Sequence, residues 1–322
     1  MAGIATVDYH TGGEPFRIVT GGVEPLRGTT VLERRRDARE RLDDVRRLLV
    51  HEPRGHADMY GCHVVPPNDA GAHLGAVFFH AAGYSTACGH GTIALVTWAL
   101  EEGRLPATEG DNRVVVDVPS GRVETVAEVE AGRVRSVRFR NVPAFVVATG
   151  LQVGDHEVDV AFGGAFYASL RERVEPGELP RLIELGRAIK RDLEGAHDLV
   201  HPLEPELRDV YGVVFWQEEA AEPLAQRNVT VFGDGQVDRS PCGSGTSARL
   251  ALLDASGRLL RGAALRHVSI VGSEFEGRVI GEAEVAGRAA VLTEVTGTAF
   301  RTGTATYSLD ARDPLGPGFL LR

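Results

Sequence analysis

Two stretches of this chain carry the same five-residue pattern, Cys88-Gly89-His90-Gly91-Thr92 and Cys242-Gly243-Ser244-Gly245-Thr246. Each follows an extended approach and leads into an apolar-periodic segment, so each cysteine is expected at the start of a helix. A helix N-terminus offers N–H groups without intrahelical partners and the positive end of the helix dipole. That favours a thiolate, and bare N–H groups beside glycines suit an anion such as a carboxylate. Two such sites meeting in one cleft would hold a carboxylate between helix ends, with a thiol on each side of the adjacent carbon. One thiolate could then take a proton from one face while the other thiol gives a proton to the opposite face. This is the chemistry that inverts the α-carbon of an amino acid. It needs preorganised donors in a dry cleft to stabilise the developing carbanion.

Other chemistries for the same residues remain open at this point. A lone buried cysteine in a Gly-rich turn is usually structural. Packing alone, however, does not require cysteine twice at equivalent positions. A cysteine hydrolase needs a general base oriented by a third group and has no use for a second cysteine. A dithiol redox site more typically shows CxxC, and the chain has none. The third cysteine, Cys62, lies beside His63 with no ligand pair at metal spacing and reads as a buried strand thiol, so no metal site is expected.

The pattern is part of a longer repeat. Residues 88–105 align without a gap on residues 242–259 at an offset of 154, with eight identities in eighteen positions. Upstream, Val7 to Phe16 echoes Val158 to Tyr167 at an offset of 151, with Gly12-Gly13 matching Gly163-Gly164. Two matches in the same order at nearly one offset predict two similar domains. The first is expected over residues 1–147, with about 300–322 packing back onto it, and the second over 148–322. In each, a buried helix is expected after the cysteine, through Ile93, Val96, Trp98 and Leu100 or Ala248, Leu250, Leu252 and Leu253. Gly103 and Gly257 would stop these helices at matching places. Strands are expected at 113–118, 122–129, 133–139 and 289–296. Further helices are expected from Arg34 to Leu49 and around Lys190. The resulting fold class is α/β (α+β), each domain a curled sheet around a buried helix.

The bulk numbers exclude several classes. The 322 residues carry a formal net charge of −10, which disfavours nucleic acid and anionic membrane surfaces as partners. The longest apolar runs, such as Ile93 to Val96, are far too short to span a bilayer. The N-terminus lacks a basic segment followed by an apolar one, so a cytoplasmic protein is expected. Of 35 basic residues only Lys190 is a lysine. It lies on a charged amphipathic helix, where it reads as solvated rather than as a Schiff-base lysine. With no GxGxxG after a strand and no P-loop, no cofactor is expected.

The stretch Asp238-Arg-Ser-Pro-Cys-Gly-Ser-Gly-Thr246 closely resembles the signature of the proline racemase family. So does Ala87-Cys-Gly-His-Gly-Thr92, where the family more often has methionine before the cysteine. Asp8 to Pro15, Glu52 to His56 with Met59-Tyr60-Gly61, and Gly163 to Tyr167 support the resemblance, which covers most of the chain. It implies the diaminopimelate-epimerase-like fold of two pseudo-symmetric domains with the site between them, no cofactor, and a monomer or homodimer. By position, Cys88 and Cys242 match the two catalytic bases. Gly89, His90, Gly243 and Ser244 match groups around the substrate carboxylate, and Asp238 the acidic residue near the substrate amine. The family includes proline racemases, hydroxyproline 2-epimerases and 3-hydroxyproline dehydratases. Dehydratases commonly replace the second cysteine by threonine, so keeping both favours epimerisation. Gly83-Tyr-Ser-Thr86 and Gly233 to Asp238 nonetheless look similar to dehydratase surroundings. The order of expectation is 4-hydroxyproline 2-epimerase, then 3-hydroxyproline dehydration or epimerisation, then proline racemase, each on a small imino acid.

Overall fold

The computed structural model describes residues 3–321. The chain divides into two units. One holds the residues up to Val137 together with those from Thr298 on, and the other is Arg138–Gly297. The first opens on a hairpin of β1 (Ile4–Thr11) and β2 (Glu14–Gly21), which turns through Gly12 and Gly13 at positive φ. Two helices follow, α1 (Val31–Arg41) and α2 (Asp43–Val50). Then come β3 (Tyr60–Val65), β4 (Leu74–His80), α3 (Gly89–Glu101), β5 (Gly110–Val118), β6 (Gly121–Glu130) and β7 (Arg133–Arg140). β2 runs parallel to β3, β3 antiparallel to β4, β4 parallel to β5 and β5 antiparallel to β6.

The second unit repeats this pairing scheme. Its strands and helices are β8 (Phe145–Val153), β9 (His156–Phe162), β10 (Phe166–Arg171), α4 (Leu179–Ala196), β11 (Val210–Ala220), β12 (Ala225–Phe232), β13 (Gln236–Asp238), α5 (Gly243–Ala255), β14 (Ala264–Ser269), β15 (Glu274–Val285) and β16 (Arg288–Gly297). β9 and β10 form the hairpin, β10 is parallel to β11, β11 antiparallel to β12, β12 parallel to β14 and β14 antiparallel to β15. β17 (Ala299–Tyr307) returns to the first unit and pairs antiparallel with β1. The duplicated glycine pairs thus occupy equivalent hairpin turns, and the duplicated cysteines open equivalent crossover helices.

Both crossover helices are buried nearly all round, α3 over residues 89–100 and α5 over 243–253. Neither has a charged residue in its first turn, as a helix enclosed by strands requires. α3 packs on β1, β2, β3, β6 and β17, and α5 on β8, β9, β10, β15 and β16. Each unit is therefore a curled set of strands around one helix, the diaminopimelate-epimerase-like architecture. The helices stop alike. Gly103 and Gly257 sit at φ +63° and +67°, and the next N–H donates back to Ala99 or Leu253 at 2.8 and 2.9 Å.

One helix departs from expectation. The arginine-rich segment from Arg34 to Leu49 is two helices, because the backbone leaves helical torsions at Leu42 (φ −121°, ψ 20°). Asp43 and Asp44 then begin a new first turn, where acidic groups are favoured by the dipole. α4 runs through Lys190, whose ammonium pairs with Glu194 at 3.0 Å one turn on. Among the described residues no helix is long and apolar enough to cross a membrane.

Candidate active site

In the first unit, Cys88 is the N-cap of α3 in extended conformation, and its Sγ accepts the Gly91 N–H at 3.2 Å. The imidazole of His90 reaches back to the same sulfur, with Nε2 at 3.4 Å. That ring is fixed edge-on against Phe16 (centroids 5.7 Å) and Tyr60 (4.9 Å), and the Tyr60 hydroxyl donates to Ser85. The glycine pattern has a steric reason here. A Cβ on Gly91 would lie 2.6 Å from Cys88 Sγ and collide with the Phe16 ring. Thr92 explains the last position of the pattern, because its N–H and hydroxyl both donate to the Cys88 carbonyl, at 3.0 and 2.8 Å. Gly89 supplies the first turn of the helix, where N–H groups have no intrahelical acceptor.

In the second unit, Asp238 ends β13, almost fully buried, and Ser240 donates its N–H to Asp238 Oδ1 at 2.8 Å. The Cys242 N–H in turn donates to Ser240 Oγ at 3.1 Å. Cys242 then takes φ +62°, ψ 100° at the N-cap of α5. A non-glycine residue at such torsions costs about 1–3 kcal/mol and persists only where its surroundings fix it. The preceding carbonyl, that of Pro241, is held by Asn228 Nδ2 (2.7 Å) and by the Thr246 hydroxyl (3.2 Å). Thr246 is itself held by His267 Nδ1 at 2.8 Å. Gly245 repeats the part of Gly91, for a Cβ there would sit 3.0 Å from Cys242 Sγ. Gly243 and Ser244 form the first turn of α5. Ser244 Oγ lies 2.7 Å from the Tyr167 hydroxyl, which accepts from Cys242 Sγ at 3.7 Å.

The expectation of an acidified thiol fails at Cys242. Burial and the neighbouring Asp238 push it up to about 12, against the opposing pull of Thr230, the Gly245 N–H and Tyr167. Desolvation outweighs the helix dipole when the sulfur is enclosed. Burial therefore favours the thiol form of Cys242. Cys62 is central in β3, and burial raises it far above the usual thiol range, while burial lowers its neighbour His63 to about 4. Among the described residues no group of three or more His, Cys, Asp and Glu side chains is arranged to hold a metal ion.

The structure thus brings Cys88, Gly89 and His90 together in one unit, and Asp238, Cys242, Gly243 and Ser244 together in the other. Sequence reasoning did not single out Asn228, His267 or Tyr167. For Tyr167 a signal existed, because the repeat aligned it with Phe16.

Residues 6–320 match the family described as proline racemase. A trans-3-hydroxy-L-proline dehydratase of Bacillus thuringiensis is 44% identical over 98% of this chain and 97% of its own length. A 3-hydroxyproline 2-epimerase of Burkholderia multivorans is 42% identical over 99% of this chain and 98% of its own. Among solved structures, a hydroxyproline epimerase from Agrobacterium vitis, with bound trans-4-OH-L-proline, superposes with a TM-score of 0.94. It shares 33% identity and covers 100% of this chain and 95% of that one. A PhzF-family protein of Bacillus anthracis, 12% identical with a TM-score of 0.62, covers 96% of this chain and 100% of its own and shares the fold.

Proposed function

This chain belongs to the proline racemase family and is an enzyme, and on that premise we propose that it is a two-thiol epimerase acting at the α-carbon of a hydroxyproline, with 4-hydroxyproline as the substrate. The observation that carries the reading is the pair of equivalent cysteines, each at the N-cap of a buried helix with a glycine beneath its sulfur. In the proposed reaction a thiolate takes the α-proton, and the electron pair left on carbon is stabilised through the carboxylate, which N–H donors at a helix start hold. The other thiol gives its proton to the opposite face. The two sulfurs exchange protonation states, nothing is oxidised, and no cofactor is consumed. Asp238 is assigned to the substrate's ring amine, and Gly89, His90, Gly243 and Ser244 to the carboxylate.

A second reading has specific support. The two relatives described above, at 44% and 42% identity, carry names that refer to 3-hydroxyproline, one a dehydratase and one an epimerase. A 3-hydroxyl is β to the carbanion and can leave, whereas a 4-hydroxyl cannot, so the hydroxyl position decides between inversion and elimination. The test is incubation of the enzyme with L-proline, trans-4-hydroxy-L-proline and trans-3-hydroxy-L-proline in D₂O, each followed by NMR. The proposal expects α-deuteration of the 4-hydroxy substrate and formation of cis-4-hydroxy-D-proline, with little change in proline. Rapid conversion of the 3-hydroxy substrate to a cyclic imine, with the 4-hydroxy substrate untouched, would replace the first reading by the second.

A further inference from the structure

The two cysteines are equivalent in the repeat, but their polar neighbours are not. Cys88 has the His90 imidazole at 3.4 Å, and His90 packs edge-on against Phe16. The position equivalent to His90 is Ser244, whose short side chain is hydrogen-bonded to Tyr167 rather than to the sulfur. The position equivalent to Phe16 is Tyr167, and its hydroxyl accepts from Cys242 Sγ at 3.7 Å. The group beside the sulfur thus comes from opposite members of the same pair of positions in the two halves. Tyr167 is fully buried, Ser244 nearly so, and the Tyr167 ring stands edge-on to Tyr211 (5.6 Å), which stacks on Phe232 (5.5 Å). The hydroxyl therefore has little freedom to leave the sulfur.

We propose that Tyr167, with Ser244 behind it, is a positioning pair that follows the protonation state of Cys242, a role that rests on the two-thiol reading. When Cys242 is a thiol, its S–H donates to the Tyr167 oxygen and Tyr167 donates to Ser244. When Cys242 is a thiolate, Ser244 donates to Tyr167 and the phenol proton turns to the sulfur. Two hydroxyl protons reorient and no covalent bond changes. A thiol that must act as acid in one direction and base in the other needs such a reversible partner. Cys242 needs it more than its position at a helix start suggests, because burial and Asp238 both oppose its thiolate. Asp238 on β13 and Tyr167 on β10 are the titratable groups acting on that sulfur.

Tyr167→Phe is the direct test, and the fold accommodates it because phenylalanine occupies the equivalent position in the first unit. A hydrogen bond to a charged group gives an expected loss of about ten- to a hundredfold. That loss should appear in the rate at which iodoacetamide alkylates Cys242 at fixed pH, read by mass spectrometry, with Cys88 unaffected. In turnover, the acid limb of the pH profile should move to higher pH for the epimer whose proton Cys242 removes, and stay in place for the other. Ser244→Ala, read in the absence of substrate, should slow alkylation of Cys242 and not of Cys88, by a smaller factor. Thermal melting of each variant reports folding separately. Alkylation needs no substrate, so failure of the substrate assignment leaves this result readable. Unchanged Cys242 alkylation in Tyr167→Phe would overturn the proposal, as would equal shifts for both cysteines and both epimers.

Discussion

Burial weighs more on Cys62 and Cys242 than their neighbours in sequence do. Cys62 is enclosed within a strand and raised beyond any useful range. Cys242 is enclosed too, but it keeps donors beside it, and these are what a thiolate formed during turnover would use. Cys62→Ser should accordingly leave turnover within a small factor, measured as epimer interconversion against wild type. A loss comparable to that of a catalytic variant would place Cys62 in the site. Alkylation should inactivate the enzyme, and pyrrole-2-carboxylate should protect it, since a trigonal α-carbon resembles the carbanion. Equal inactivation with and without the analogue would put the reactive thiol outside the site. At this scale the sequence was most legible where residue type and spacing repeat, as in the two Cys-Gly-x-Gly-Thr patterns. Asn228 and His267 were not legible, because they reach the Cys242 turn only after β12 and β14 come together from distant parts of the chain.

The helix starts are built so that small changes near the sulfur have large effects. Gly91→Ala inserts a methyl 2.6 Å from Cys88 Sγ and into the Phe16 ring. Overpacking of this kind costs about 1–3 kcal/mol, and it would also displace the thiol. The expected outcome is a folded protein with a lowered melting temperature and a large loss of kcat. Near wild-type turnover would show that the sulfur does not need that space. Asn228→Ala removes a donor from the Pro241 carbonyl and with it one support of the positive φ at Cys242. The Thr246 hydroxyl still donates to that carbonyl, so the expected cost is that of one lost hydrogen bond, about 0.5–1.5 kcal/mol, to be read by denaturant unfolding. Helix ends were legible where glycine marks them, at Gly103 and Gly257. The break at Leu42 was not. A leucine gives no stop signal, and the interruption is set by tertiary contacts such as the Tyr84 hydroxyl, which donates to the Ala38 and Leu42 carbonyls.

For the whole molecule, each unit carries one cysteine at the start of a buried crossover helix, and each also encloses a histidine that burial holds toward its neutral form. Burial lowers His63 in the first unit to about 4, and burial with Arg249 lowers His267 in the second to about 3, against a usual value of 6.5. As pH falls below 6.5 the unfolded chain takes up protons that the folded chain refuses. Stability is therefore fully present above that pH and is lost as pH falls toward 4, by about 1.4 kcal/mol per pH unit for each such histidine. Denaturant melts across this range should show it, and a flat profile would mean these histidines are solvated. The duplication was legible from two short echoes at offsets of 151 and 154, and the equivalent strand pairings of the two units extend it across the fold.

In the two-thiol mechanism, inversion requires one thiol from each unit. The measurement that tests it most directly is the interconversion of 4-hydroxyproline epimers by Cys88→Ser and by Cys242→Ser, each verified as folded by circular dichroism. Losing one partner of an acid–base pair should lower the rate by about 10²–10⁴-fold or more in both variants. Interconversion at near wild-type rate by either one would contradict the two-thiol account.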